Sequence, residues 1–139
     1  MPIDMLTGPK VTAALSRIAK KRDLCLIVLY GSVSRGTETA MSDIDIGVLG
    51  SAPLSHEDEA VIGEDIAKAS GFSRVEVRSL HRVSPLFLTN VMNEGVVLFE
   101  DTPSRAQEVR LYAWKMAAET RHMREAHYKQ VQDRIEAHV

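Results

Sequence analysis

The stretch Tyr30-Gly31-Ser32-Val33-Ser34-Arg35-Gly36, followed by Ser42-Asp43-Ile44-Asp45-Ile46-Gly47-Val48, decides how this chain reads. The apolar run Leu24 to Tyr30 predicts a central strand that ends on a Gly-Ser turn. Ten residues separate Ser32 from Asp43, where a second strand begins. Side chains alternate along a strand, so Asp43 and Asp45 share one face and Ile44, Ile46 and Val48 share the other. Two carboxylates held side by side repel each other unless a cation lies between them. A nearby Gly-Ser turn offers backbone N–H groups and a hydroxyl to phosphate oxygens. Alone, the Gly-Ser pair is a turn and Asp-x-Asp a solvated strand face. Together at this spacing they describe a site for a metal-bound nucleoside triphosphate.

Working outward, residues 9 to 22 carry Val11, Ala14, Leu15, Ile18 and Ala19 at helical spacing. Pro9 suits the first turn, and Lys20-Lys21-Arg22 suits the last, facing the negative end of the helix dipole. A short helix is expected around 33–35. Ser55 with Asp58 predicts a cap for a helix from His56 to Ala69, stopped by Gly71. Val75 to Leu80 alternates, with Val75, Val77 and Ser79 on one face and Glu76, Arg78 and Leu80 on the other. Ser84-Pro85 opens a helix ending near Asn93-Glu94-Gly95, and Val96 to Phe99 is a fourth strand. From Pro103 a helical pattern runs to the end, with a break expected near Glu119-Thr120.

That last segment is too long for a compact domain if it is straight. As one helix, 103–138 extends about 54 Å, against a radius of gyration of about 14 Å for such a chain. It must break, fold back or project. Val109, Tyr112, Ala113 and Met116 are expected to pack on the core, with Trp114 nearby and Glu125 paired to Lys129. Beyond Thr120 the helix is either a solvated end or a docking surface.

The 139 residues fit one domain with a modest core. A net charge of −2 argues against a broad nucleic-acid surface, so no direct nucleic-acid partner is expected. No apolar run approaches the roughly 20 residues that span a bilayer, and no secretion signal is read at the N-terminus, so no membrane partner is expected. Cys25 reads as a small buried hydrophobe in a reducing, cytoplasmic setting. The histidines show no zinc spacing, and no Walker A or GxGxxG pattern is present.

Phosphoryl and nucleotidyl transfer need phosphate charge neutralised and two oxygens aligned, which a pair of divalent ions can do. Asp43 and Asp45 suit Mg²⁺, an oxygen-seeking ion. Glu76 is the best third carboxylate, as a metal ligand or as the base that takes the attacking hydroxyl's proton. Gly31 permits close backbone approach and Ser32 can donate to a phosphate oxygen. Arg35 either neutralises phosphate or pins the loop.

Gly31-Ser32, ten residues, then Asp43-Ile44-Asp45 resembles the GS-x10-DxD signature of the DNA polymerase β-type minimal nucleotidyltransferases (MNT). The Val75-Glu76-Val77 strand and the run from Asn93 to Glu100 are also similar to that family, so the likeness covers about residues 10 to 102. Size and layout most resemble the antitoxins of HEPN–MNT toxin–antitoxin pairs. The resemblance implies an α+β nucleotidyltransferase fold: a mixed sheet flanked by helices, an acidic site on its open side, and a long C-terminal helical segment. It implies a single nucleotidyltransferase domain over 1–139, with about 103–139 as a region for partner docking. It implies a type VII-like antitoxin that transfers AMP from ATP, with two Mg²⁺ ions, onto a tyrosine of a HEPN ribonuclease toxin in a hetero-oligomer. Carried over, Asp43, Asp45 and Glu76 bind metal and carry catalysis, and Gly31 and Ser32 hold the triphosphate. The family often has Asp where Glu76 stands. The competing expectations are a small-molecule nucleotidyltransferase of the aminoglycoside-modifying kind and a non-catalytic module that occludes its toxin.

Overall fold

The structure, a computed structural model, describes residues 6–31 and 44–138. Ser32, Arg35, Ser42, Asp43 and the short helix expected at 33–35 lie outside the described residues. Helix α1 (Pro9–Arg22) starts on Pro9 and ends on Lys20, Lys21 and Arg22. Strand β1 (Leu24–Tyr30) pairs antiparallel with β2 (Ile44–Gly50). Helix α2 (His56–Ser70) begins with the reciprocal cap expected from sequence. Asp58 N–H donates to the Ser55 hydroxyl and Ser55 N–H to the Asp58 carboxylate. These bonds satisfy amide groups that the first helical turn leaves without partners, and they hold the Asp58 carboxyl below its usual range.

Strand β3 (Val75–Ser79) then runs parallel to β2. Ser84 caps helix α3 (Pro85–Glu94), accepting from Phe87 N–H. Strand β4 (Val96–Glu100) returns antiparallel to β1, and helix α4 (Arg105–Ala137) completes the chain. The strand order is β3-β2-β1-β4, a mixed sheet with β1 and β2 inside. Helices cover both faces of β1, which is why it reads as a nearly continuous apolar run.

Apolar side chains leave the sheet on both faces. Ile27, Leu29, Ile44, Ile46 and Val48 pack with Leu15, Ala19, Ile62 and Ile66 beneath α1 and α2. Leu26 and Val28 pack with Leu88, Val91, Met92, Ala106, Val109 and Ala113 beneath α3 and α4. The sheet is therefore flanked by helices on each side, as the sequence implied.

Helix α4 corrects three expectations. It runs 33 residues without a break at Glu119-Thr120 and projects from the body, about 50 Å long. No glycine or proline interrupts it there, and the Thr120 hydroxyl donates back to Met116 O at 2.8 Å, which an unbroken helix accommodates. Only Ala106, Val109 and Ala113, spaced on one face, reach the core. Tyr112 and Trp114 sit to either side of that stripe and are exposed, at 59% and 67%. Glu125 is engaged by Arg121 at 3.0 Å rather than by Lys129. Cys25 is half-buried rather than buried; its thiol lies 3.3 Å from Leu49 O, and burial pushes its pKa up. Among the described residues no helix is long and apolar enough to cross a membrane.

Candidate active site

Three strands present the candidate residues on one sheet face. Tyr30, the last residue of β1, is the register partner of Asp45 on β2. Asp45 is in turn the register partner of Glu76 on β3. Neighbouring strands lie about 4.8 Å apart, so these side chains stand in a row. The opposite face of β2, through Ile44, Ile46 and Val48, is sealed in the core, which forces Asp45 outward. Helices α3 and α4 cover the β1 and β4 side of this face and leave Asp45 half-buried and Glu76 exposed.

Gly31 fits closely against this row. Its φ is +80°, a conformation that disfavours any side chain, and a Cβ there would lie 2.5 Å from Asp45 Oδ2. The turn that opens the Gly-Ser loop is thus pressed onto the acidic side chain of β2. Tyr30 senses the same acids. Burial pushes its phenol above the ordinary range, Arg78 pulls it back, and Asp45, Glu76 and Glu59 push it up again.

Arg78 places its guanidinium over the Phe87 ring, 5.2 Å from the centroid, and Phe87 meets Tyr30 edge-on at 5.8 Å. Sequence reasoning missed Phe87 and also Glu59. Glu59 lies on α2, accepts from Ser79 N–H and pairs with Arg82 and with His56 at 3.2 Å. The Ser84 cap fixes where α3 begins and so where Phe87 falls, but nothing local ties it to Arg78.

Of the six residues expected in the site, Gly31, Asp45 and Glu76 are brought together; Ser32, Arg35 and Asp43 lie outside the described residues. Among the described residues no three His, Cys, Asp or Glu side chains converge as a metal site. The pair that is described, Asp45 beside Glu76, supplies carboxylate oxygens, the donor type that a hard cation such as Mg²⁺ takes. The arrangement can neutralise a phosphate-bound cation and accept a proton from a hydroxyl placed beside Glu76.

A search of curated proteins returns no match. Among solved structures, a toxin–antitoxin with AMP-PNP is 25% identical and covers 87% of this chain and 98% of its own, with a TM-score of 0.73. A tri-AMPylated Shewanella oneidensis HEPN toxin in complex with MNT antitoxin contains a chain 23% identical, covering 87% and 95%, with a TM-score of 0.66. A MntA–HepT toxin–antitoxin is 22% identical over 87% and 96%, also with a TM-score of 0.66. The last two bear on the fold alone. Residues 14–104, from the middle of α1 to the threshold of α4, match the family described as Polymerase beta, Nucleotidyltransferase. With most of its length matched, the site strands included, the chain belongs to the polymerase beta nucleotidyltransferase family.

Proposed function

We propose that this chain is a protein adenylyltransferase: an antitoxin that moves AMP from ATP onto a tyrosine of a HEPN ribonuclease toxin and so silences it. The observation that carries the reading is the pairing of Asp45 with Glu76 on adjacent strands, with Gly31 pressed against Asp45. The toxin–antitoxin structure with AMP-PNP, 25% identical over nearly its whole length, supports both the nucleotide and the kind of partner.

In this reading Asp43, Asp45 and Glu76 hold Mg²⁺, while Gly31, Ser32 and Arg35 meet the triphosphate. The ion supplies charge neutralisation to the phosphates and to the leaving oxygen. A tyrosine phenol has a pKa near 10, so it reacts faster with a base beside it. Glu76, exposed at the rim, or Asp45 takes the phenol proton. The phenolic oxygen forms a bond to the α-phosphorus, the α–β bridging bond breaks, and pyrophosphate departs. AMP remains on the tyrosine. One catalytic domain does this, and the projecting half of α4 docks the partner.

The likeness to a toxin–antitoxin with AMP-PNP favours a protein acceptor over a small molecule. Occlusion without chemistry is the second reading, favoured by the exposed apolar residues of α4: Met123, Tyr128 and Ile135. Incubation with Mg²⁺, labelled ATP and the HEPN protein separates them. Label on the toxin that disappears in Asp43→Ala supports adenylyl transfer. Neutralised toxin without label supports occlusion and refutes the enzymatic reading.

A further inference from the structure

Helices α1 and α2 lie side by side over the sheet face opposite the acidic row, and the channel between them plays no part in the chemistry above. It is a groove of about 480 Å³. Its floor is small and apolar: Ala14, Ile18 and Ala69, each half-buried. Its rim is cationic: Lys10, Arg17 and Lys21 from α1 and Lys68 from α2, all exposed. Asp65, the carboxylate on its wall, is held by Arg22 at 3.3 Å. Among the described residues no acidic side chain forms an ion pair with any of the four rim cations. From Lys10 to Lys21 the helix rises about 16 Å, or roughly three turns.

Two observations say that the groove takes an anionic occupant, and of which kind. The first is the placement of charge. Residues 9–22 carry five Lys and Arg and no Asp or Glu, in a chain whose net charge is −2. The helix dipoles account for Lys21 and Lys68, each in a last turn. The dipole opposes Lys10, which lies in the first turn of α1, and Arg17 and Lys21 are like charges four residues apart, a spacing at which they repel. Within the fold these cations are a cost, which an anion from outside would remove. The second observation is the floor. A phosphate backbone gains nothing from Ala14, Ile18 and Ala69, and among the described residues no aromatic side chain lines the groove for a base to stack on. A helix with an apolar stripe gains from both parts: the small floor residues let it approach, and acidic flanks meet the rim.

We propose that this groove is a second docking surface for the protein partner, and that it receives an acidic amphipathic helix of about three turns. Carboxylates of that helix lie along Lys10, Arg17, Lys21 and Lys68, and its apolar stripe rests on Ala14, Ile18 and Ala69. The groove faces away from Asp45 and Glu76, so this helix is not the segment that presents the tyrosine. It contributes affinity rather than chemistry. Attraction between the exposed rim and an acidic partner is screened by salt, which gives the contact a signature. The inference rests on the protein partner proposed above, and its test is separate from the test of transfer.

The probe is the HEPN protein, titrated into the full-length chain by calorimetry. Lys10→Glu combined with Arg17→Glu should weaken its binding at least about tenfold, and wild-type affinity should fall as salt rises from about 0.05 to about 0.5 M. Mg–ATP binding should stay within about twofold, and stability in urea should not fall. Ala14→Leu, which keeps every charge and fills the floor, should weaken the partner as well and leave transfer at saturating partner unchanged. Unchanged partner affinity in either variant would overturn the proposal. So would a charge-reversed chain that keeps the HEPN protein and loses a duplex RNA oligonucleotide bound by wild type, which would assign the groove to nucleic acid. A wild-type chain that binds the HEPN protein through the groove and transfers no AMP refutes the adenylyltransferase reading and leaves the docking surface standing. One that does not bind the HEPN protein overturns the docking surface itself.

Discussion

Replacing Gly31 by alanine tests the contact on which the site is built. Two separate costs follow from the geometry. The φ of +80° is left-handed backbone, which disfavours a side chain by about 1–2 kcal/mol. The new Cβ would also lie 2.5 Å from Asp45 Oδ2, where ordinary contact begins near 3.4 Å, so the carboxylate must withdraw by roughly 1 Å. Gly71 supplies the control. Its φ is +81°, but a Cβ there meets nothing within 4 Å. Gly71→Ala should therefore lose about 1–2 kcal/mol of stability, seen in urea unfolding, and keep full adenylyl transfer. Gly31→Ala should lose a similar amount and also lose transfer by about 100-fold, the scale expected when a reacting group is displaced by about 1 Å. Equal transfer rates for the two variants would refute the claim that Gly31 sets the position of Asp45.

The other predictions concern the fold, the helix cap and the projecting helix. Ile27→Ala, which empties a fully buried position beneath α1 and α2, should cost about 2–5 kcal/mol in urea unfolding. Ser55→Ala should cost about 1 kcal/mol by removing the cap of α2. The partner carboxyl, Asp58, has a folded pKa below its unfolded value, chiefly through its bond to Ser55 N–H. Its contribution is therefore complete above the unfolded pKa and fades as pH falls through the lower folded one. In unfolding measured against pH, wild type and Asp58→Asn should accordingly differ above about pH 4 and begin to converge as the pH falls below it. Removing the chain after Thr120 should leave the thermal transition and Mg–ATP binding intact and weaken partner binding at least about tenfold by calorimetry, because residues 121–138 are exposed throughout.

The elements most legible in the sequence were those fixed by local chemistry. Pro9, the Ser55–Asp58 pair, Gly71 and Ser84 each satisfy or terminate a backbone group, so they mark helix ends without help from the rest of the fold. The alternation of β2 and β3 placed Asp45 and Glu76 on their faces. The parallel register that makes them neighbours is a tertiary fact, reached from sequence only by expecting the two strands to lie together. Helix α4 projects, one of the three outcomes its length allowed; the break expected near Glu119-Thr120 is absent because the residues carry no breaker, and the buried stripe is made of small residues at Ala106 and Ala113. The same helical face carries Tyr128, Val131 and Ile135 farther along, beyond the body that buries it. Contacts such as Glu59 with Arg82 and Arg78 with Phe87 join elements through space and leave no periodic trace.

Calorimetric titration of the chain with ATP in Mg²⁺ addresses the acidic row directly. Wild type should bind the Mg–ATP complex. Asp45→Asn and Glu76→Gln, which keep side-chain volume and remove one charge each, should weaken binding by about tenfold or more with the fold unchanged. Binding that is indifferent to both substitutions would contradict the placement of the metal-bound nucleotide at Asp45 and Glu76.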